Sequence, residues 1–283
     1  MRLTGYVLAA DPWWIEESVL SYYDVVDRIV VSYDENATSW SGGPIPVEEC
    51  LRRLRRIDSA GKLDFAPGSF ARPDIHALEA ETLQRSQALR RASVDADWVI
   101  QLDSDEVVGN LETFVACIEE AESHGAGGLD YPSRYFMGRS TSGRLLETST
   151  RWWRPYAHYP APMAVRAGSR LVHARQAEVA LYRTDFRPDS TSPLHARDAV
   201  VHRVIPVEAG IRHYSRVRSQ DYMERKSAWS AHADYYAREL ARWRTRQDHP
   251  IAAVVATPFA KPTERYRLTS LPPQQRYWRG EFD

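Results

Sequence analysis

Lysine and cysteine are scarce in this chain. Of its 37 basic residues only three are lysines, at positions 62, 226 and 261, and there are two cysteines in 283 residues. The two thiols, Cys50 and Cys117, fall at apolar positions of expected helices, which argues against a disulfide framework and fits a reducing compartment. No stretch approaches the ~18 consecutive apolar residues that a bilayer-spanning helix needs. The opening Met1 to Asp11 turns polar too soon for a secretory signal, so the expected location is the cytoplasm. A formal net charge of -1 removes any global drive toward nucleic acid or an anionic membrane. A phosphate loop is also missing: Gly61-Lys62 is followed by Leu63 and lacks the required glycine five residues earlier. We find no internal repeat. With 43% apolar residues, the chain has enough material for one large core, or a domain with an appended lobe.

What is present centres on Asp97 to Glu106, which reads Asp-Trp-Val-Ile-Gln-Leu-Asp-Ser-Asp-Glu. Trp98, Val99, Ile100 and Leu102 form an apolar run of the kind found in parallel strands covered on both faces. Such a strand delivers Asp103 and Asp105 to the edge where open α/β sheets bind ligands. Extended backbone would put both carboxylates on one face, where they repel unless a cation or strong donors intervene. Mg2+ or Mn2+, which take oxygen ligands and leave room for substrate phosphates, suit that pair. A calcium loop fails because Val107 and Val108 follow Glu106 where further ligands would be needed. A solvated turn capping the next helix is the plainer alternative.

Around this segment the pattern alternates strand and helix, as a parallel sheet requires. Strands are expected at Leu3 to Ala10, Arg28 to Tyr33 and Leu63 to Ala66. Helices are expected at Trp14 to Tyr23, Val47 to Ile57 and Ile75 to Ser93, and a further one follows an Asn110 cap and closes at Gly125. The Val47 to Ile57 helix carries Arg52, Arg53, Arg55 and Arg56 on its polar face, either as a solvated face or as a contact for anionic lipid. From Leu129 the period shortens, and Trp152 and Trp153 sit among arginines, a cluster suited to stacking on an acceptor or to filling a core. Tyr222, Lys226, Trp229, Ala233, Tyr236, Leu240 and Trp243 form a helical seam, for packing on the domain or for a homodimer contact. The last twenty residues read as a flexible tail or lid. The expected division is a nucleotide-binding half over 1–128, an acceptor and catalytic half over 129–217, and a C-terminal helix with tail over 218–283.

The order of these elements and the Asp-Ser-Asp resemble the family 2 glycosyltransferases of the GT-A fold, over roughly residues 1 to 235. Gly5 to Asp11 followed by Ile15-Glu16-Glu17-Ser18 is similar to that family's first strand and helix, and Asp27 to Asp34 to its second strand. Asp97 to Glu106 is similar to its DXD-type metal segment, and Ile211 to Ser215 to its downstream His element. The resemblance implies a Rossmann-like, mainly parallel mixed sheet flanked by helices, with a C-terminal acceptor-side region and long helix. It implies an inverting transfer from a nucleoside-diphosphate sugar to a hydroxyl acceptor, assisted by Mn2+ or Mg2+. Asp105 would hold the metal, Asp103 would act on the ribose or through a bound water, and His213 would add a ligand. Ala9, Asp11 and Asp34 would line the nucleoside pocket, with Arg85 or Lys226 reaching a phosphate and Trp152 and Trp153 meeting the acceptor. For the base, Asp198 is favoured over Glu208, Glu147 and Asp185. Relatives often carry His-Glu where this chain has His202-Arg203, so a non-catalytic sugar-nucleotide or glycan-binding protein is the second reading.

Overall fold

The computed structural model describes residues 1–270, apart from 141, 197 and 230–232; the side chains of 226–229 and 233–238 are also outside the description. In chain order the first half runs β1 (Leu3–Leu8), α1 (Ile15–Leu20), β2 (Arg28–Asp34), α2 (Val47–Ile57), β3 (Leu63–Gly68), α3 (Ala77–Ala92), β4 (Trp98–Gln101), β5 (Glu106–Val107) and α4 (Leu111–Ser123). The second half holds β6 (Gly128–Asp130), β7 (Ser133–Arg139), β8 (Leu145–Thr148), β9 (Ala164–Arg166), β10 (Leu171–His173), β11 (Gln176–Ala177), β12 (Leu181–Asp185), β13 (Arg203–Val204) and β14 (Ile211–His213). It closes with α5 (Gln220–Trp229), α6 (Ala233–Asp248), α7 (Pro250–Ala256) and β15 (Tyr266–Thr269).

Eight strands form one sheet in the order β13-β12-β6-β9-β4-β1-β2-β3. Every neighbouring pair is parallel except the two made by β9, which is antiparallel to both β4 and β6. The fold is therefore a mixed α/β architecture with a large, mostly parallel sheet flanked by helices. Strands β1 and β4 are buried along their whole length, as central strands covered on both faces must be. A second sheet, β15-β8-β7-β14-β5, lies beyond the C-terminal end of β4, because β5 follows that strand within a few residues.

Local chemistry explains the element boundaries. Asn110 Oδ1 accepts from Thr113 N at 2.8 Å, satisfying one of the free N–H groups that open α4. Gly125, at φ +70, lies just past the end of that helix, in a conformation that costs a side chain most. Cys50 and Cys117 are buried on the inner faces of α2 and α4.

One expectation changes. Residues 266–269 belong to an edge strand paired with β8, so the expected tail is ordered at its start; residues 271–283 lie outside the described residues. Residues 128 and 129 both lie in β6, and β9 inserts between β4 and β6, so the stretches before and after that point share one sheet. The arginine face of α2 is the solvated face it was expected to be, with Arg52, Arg55 and Arg56 exposed and engaged at the surface. Arg52 and Arg53 pair with Glu49, Arg56 pairs with Glu16 at 2.7 Å, and the Arg55 guanidinium sits over the Phe65 ring. Among the described residues no helix is long and apolar enough to cross a membrane. The helical seam falls partly on side chains outside the description; within it, Tyr222 and Trp243 are buried.

Candidate active site

A cavity of about 410 Å³ opens at the C-terminal ends of β1, β2 and β4. Its walls include Ala9, Asp11, Asp34, Arg85, Asp103, Asp105 and His213, so most of the sequence-predicted donor and metal residues meet there. Glu81, Gln84, Trp40, Tyr135 and Ser104 complete much of the lining.

The two aspartates do not lie along an extended strand. Regular pairing stops at Gln101, and Asp103 to Glu106 form a turn in which Glu106 N donates to Asp103 O at 3.0 Å. The Glu106 side chain folds back to accept from Asp103 N, also at 3.0 Å. Helix α1 supports the turn: Ser18 Oγ donates to Asp103 O at 2.9 Å, and Ser21 Oγ accepts from Val108 N. The carboxylates are thus splayed toward different partners instead of sharing one face. Asp103 accepts from Arg85 at 2.7 Å and faces Arg175 at 3.6 Å. Asp105 accepts from Arg218 at 2.7 Å and lies 3.3 Å from His213 Nε2.

Each partner is placed by tertiary structure. Strand β14 pairs antiparallel with β5, setting His213 opposite Glu106. The 214–218 segment is fixed by Trp14, whose ring stacks on Tyr214 at 4.2 Å and whose Nε1 donates to Val217 O. That contact carries Arg218 to its position, where one nitrogen, Nη2, bridges Asp11 and Asp105 at 2.6 and 2.7 Å. Arg175 is held through Gln101, whose side chain donates to Arg175 O while its backbone carbonyl accepts from Arg175 Nη1. The Arg175 guanidinium then clamps Glu106 with two hydrogen bonds.

Burial alone would push the Asp103 carboxyl up, but the Arg175 and Arg85 guanidiniums outweigh it and hold the group down at about 2. His213 also titrates against its burial: Asp105, assisted by Glu106, favours the imidazolium and raises its value. His158, by contrast, is lowered to about 3 by burial, with His213 adding to the effect. Its ring stacks on Tyr135 at 3.9 Å, and Tyr135 meets His213 edge-on at 4.5 Å.

Asp34 behaves differently from Asp103. It lines the cavity, yet its Oδ1 accepts from Asn36 N and Thr38 N and its Oδ2 from Phe70 N and Ala71 N. It shapes two loops beside the cavity.

The remaining expected residues, Lys226 apart, are not brought to this cavity. Trp152 and Trp153 are exposed on the turn after β8, and Asp198 is exposed on a surface turn. Glu208 is exposed too. Glu147 is sealed between Arg134 and Arg267, while Asp185 accepts from Tyr159 and Thr191 in the interior. Arg203 pairs with Glu120 of α4. The Lys226 side chain lies outside the described residues.

The principal residues absent from the sequence reading are Arg175, Arg218 and Glu81. Only Glu81 left a signal, its i,i+4 spacing to Arg85, where the pair closes at 2.8 Å. Nothing marks Arg175 or Arg218 in a chain so rich in arginine.

No protein-family model matches the chain, and no curated protein does. Among solved structures, the chain is similar to mannose-6-phosphate isomerase from Helicobacter pylori, at 12% identity and TM-score 0.30, over 48% of this chain and 50% of that one. It is also similar to 4-diphosphocytidyl-2C-methyl-D-erythritol synthase from Anaerococcus prevotii, at 12% identity and TM-score 0.34, over 59% and 71% of the two chains. The present chain thus spans about half the length of the isomerase. Neither likeness is close enough to carry an argument about this chain.

Among the described residues no group of three or more His, Cys, Asp or Glu side chains is arranged to hold a metal ion by itself. The donor chemistry nevertheless fits an ion that keeps waters and phosphate oxygens in its sphere, as Mg2+ and Mn2+ do. Asp105 and His213 face one another, and the five carboxylates of Asp11, Glu81, Asp103, Asp105 and Glu106 outnumber the guanidiniums of Arg85, Arg175 and Arg218 even with the His213 imidazolium added to them. That leaves net negative charge in a low-dielectric site.

Proposed function

We propose that this chain is a glycosyltransferase that moves a sugar from a nucleoside-diphosphate donor to a hydroxyl acceptor, with a divalent cation. The observation that carries the reading is the Asp103-Ser104-Asp105 turn, set in a cavity at the C-terminal edge of a mostly parallel sheet and cross-linked there by buried guanidiniums. Asp105 and His213 would hold the cation, with Asp103 beside them. When bound, Mg2+ or Mn2+ would supply Lewis-acid stabilisation of the departing diphosphate.

The chain's own residues would do the rest. Ala9 and the Asp34-shaped loops would receive the nucleoside. Arg85, whose Nη1 is a buried donor with no hydrogen-bond partner among the described residues, is in place to meet a diphosphate oxygen. Arg218 would fix Asp11 relative to Asp105, so that the nucleoside and diphosphate ends of the cavity keep a constant separation. Preorganised cationic groups of this kind stabilise developing negative charge without reorganising during the reaction.

Activation of the acceptor hydroxyl remains with Asp198 in this proposal, which requires that exposed side chain to face the acceptor. A second reading, a sugar-nucleotide-binding protein without turnover, is favoured by one observation: each carboxylate lining the cavity is matched by a guanidinium, imidazole or backbone donors. Thermal-shift titration with nucleoside diphosphates, with and without Mn2+, tests both readings, since ligands of the folded state raise its melting temperature. A metal-dependent shift is expected, and it should vanish in the Asp103→Asn, Asp105→Asn double variant. Donor hydrolysis or transfer by the wild type, reduced in Asp198→Asn, would select the enzyme; metal-dependent binding without turnover would select the binding protein.

A further inference from the structure

Helix α7 reads Pro-Ile-Ala-Ala-Val-Val-Ala, and not one of its seven residues is buried. Ile251, Ala252, Val255, Ala256 and, just beyond the helix, Phe259 recur at one and four positions apart, which places them on a single outward stripe. Ile251 is 70% exposed and Phe259 89% exposed. The turn after β8 extends this stripe. Trp153 Nε1 donates to Val254 O at 2.9 Å, and Trp152 stands beside it, 66% exposed. Isolated exposed apolar side chains are ordinary, but a stripe of Ile, Val and Phe joined to two tryptophans is not.

The charges around the stripe are mostly of one sign. Arg151, Arg154 and Lys261 are all exposed, and the Arg151 guanidinium lies over the Trp152 ring at 5.4 Å. Asp248 is the exposed acid nearby, while Glu264 lies 3.7 Å from Arg242. We infer that this face is a membrane-contact surface that seats Ile251, Val255, Phe259 and Trp152 at the headgroup boundary of an anionic phospholipid bilayer. Three features select a bilayer as the occupant. Aliphatic residues supply burial, tryptophans suit the polar–apolar boundary, and cations match phospholipid charge. Self-association through the same face would bring its like-charged rims together, which opposes a dimer. The arginine face of α2, the other candidate for lipid, is tied up in ion pairs and offers less free charge.

Co-sedimentation of the full chain with phosphatidylcholine vesicles, with and without phosphatidylserine, tests this. Binding to the phosphatidylserine vesicles is expected, weakening as salt rises. The triple change Ile251→Ser, Phe259→Ser, Trp152→Ser should lower the partition coefficient by about tenfold or more. Arg151→Gln, Arg154→Gln, Lys261→Gln should remove the preference for phosphatidylserine. All six positions are exposed, and unchanged melting curves would show that the variants fold. Wild-type protein left in the supernatant with phosphatidylserine vesicles would overturn the inference, as would an apolar variant that binds equally well. Light scattering adds a third outcome: a wild-type dimer that the apolar changes convert to monomer, without vesicle binding, would assign the face to self-association and overturn the membrane reading. None of these readouts depends on nucleotide or sugar, so the result is separable from the proposed transferase activity.

Discussion

Asp34 and Asp103 both stand at the C-terminal ends of strands of the large sheet, both line the same cavity, and in sequence they look alike. Their surroundings set them apart. Asp34 is saturated by four backbone N–H groups from two loops, so its charge is spent on holding the chain's own backbone. Asp103, and Asp105 beside it, are met by guanidiniums and an imidazole on long or rotatable side chains. A carboxylate bound by backbone cannot release its partners without unmaking a loop. One bound by arginine can exchange a partner for a ligand. An acid at a strand end is therefore not by itself a binding residue; the kind of donor that satisfies it decides.

The sharpest way to break this contrast is through Arg218. Replacing it with Gln leaves Asp11 and Asp105 buried and close together without their shared cation, a loss of about 3–5 kcal/mol. Urea unfolding measures this, and if Asp11 and Asp105 belong to a ligand site, added nucleoside diphosphate with Mn2+ should shift the variant differently from the wild type. Next comes Asp105→Asn, expected to lower turnover by about 100-fold, as loss of a charge-stabilising group at a reacting centre does, and to lower the melting temperature as well, because buried Arg218 loses one of its two carboxylates. Steady-state rates with a donor panel would show it.

Asp34→Asn should have the opposite signature. Its amide nitrogen would face two backbone N–H donors, costing about 1–3 kcal/mol of stability, while leaving any metal dependence intact. Denaturant midpoints and Mn2+ titration separate the two effects. The last effect concerns pH. Burial depresses His158 from 6.5 to about 3, so the unfolded chain binds its proton first. Its contribution to stability is whole above about pH 6.5 and is lost as pH falls toward 3, at about 1.4 kcal/mol per pH unit. Comparing the pH dependence of melting in wild type and His158→Gln would isolate that slope.

Much of the first half was legible in the sequence because its signals are local. The apolar spacing of α2 gave its bounds, Asn110 and Gly125 marked the ends of α4, and the Trp98 to Leu102 run placed β4. Asp103, Asp105 and His213 were identified as one group, and the structure does bring them to one cavity. The second half resisted because β9 and β14 are three residues each, too short for a period, and their roles come from partners 35 or more residues away. Composition leaves Trp152 and Trp153 as either acceptor-stacking or core-filling residues, and only their exposure beside α7 excludes the core.

The sequence alone determined the alternating elements, the central acidic segment and the absence of a spanning helix among the described residues, because periodicity, capping and run length act over a few neighbouring residues. Only the tertiary structure decided which arginines, among so many, neutralise those acids. A guanidinium's partner is chosen by what is buried beside it, and at Arg218 that required a Trp14–Tyr214 stack across 200 residues of chain.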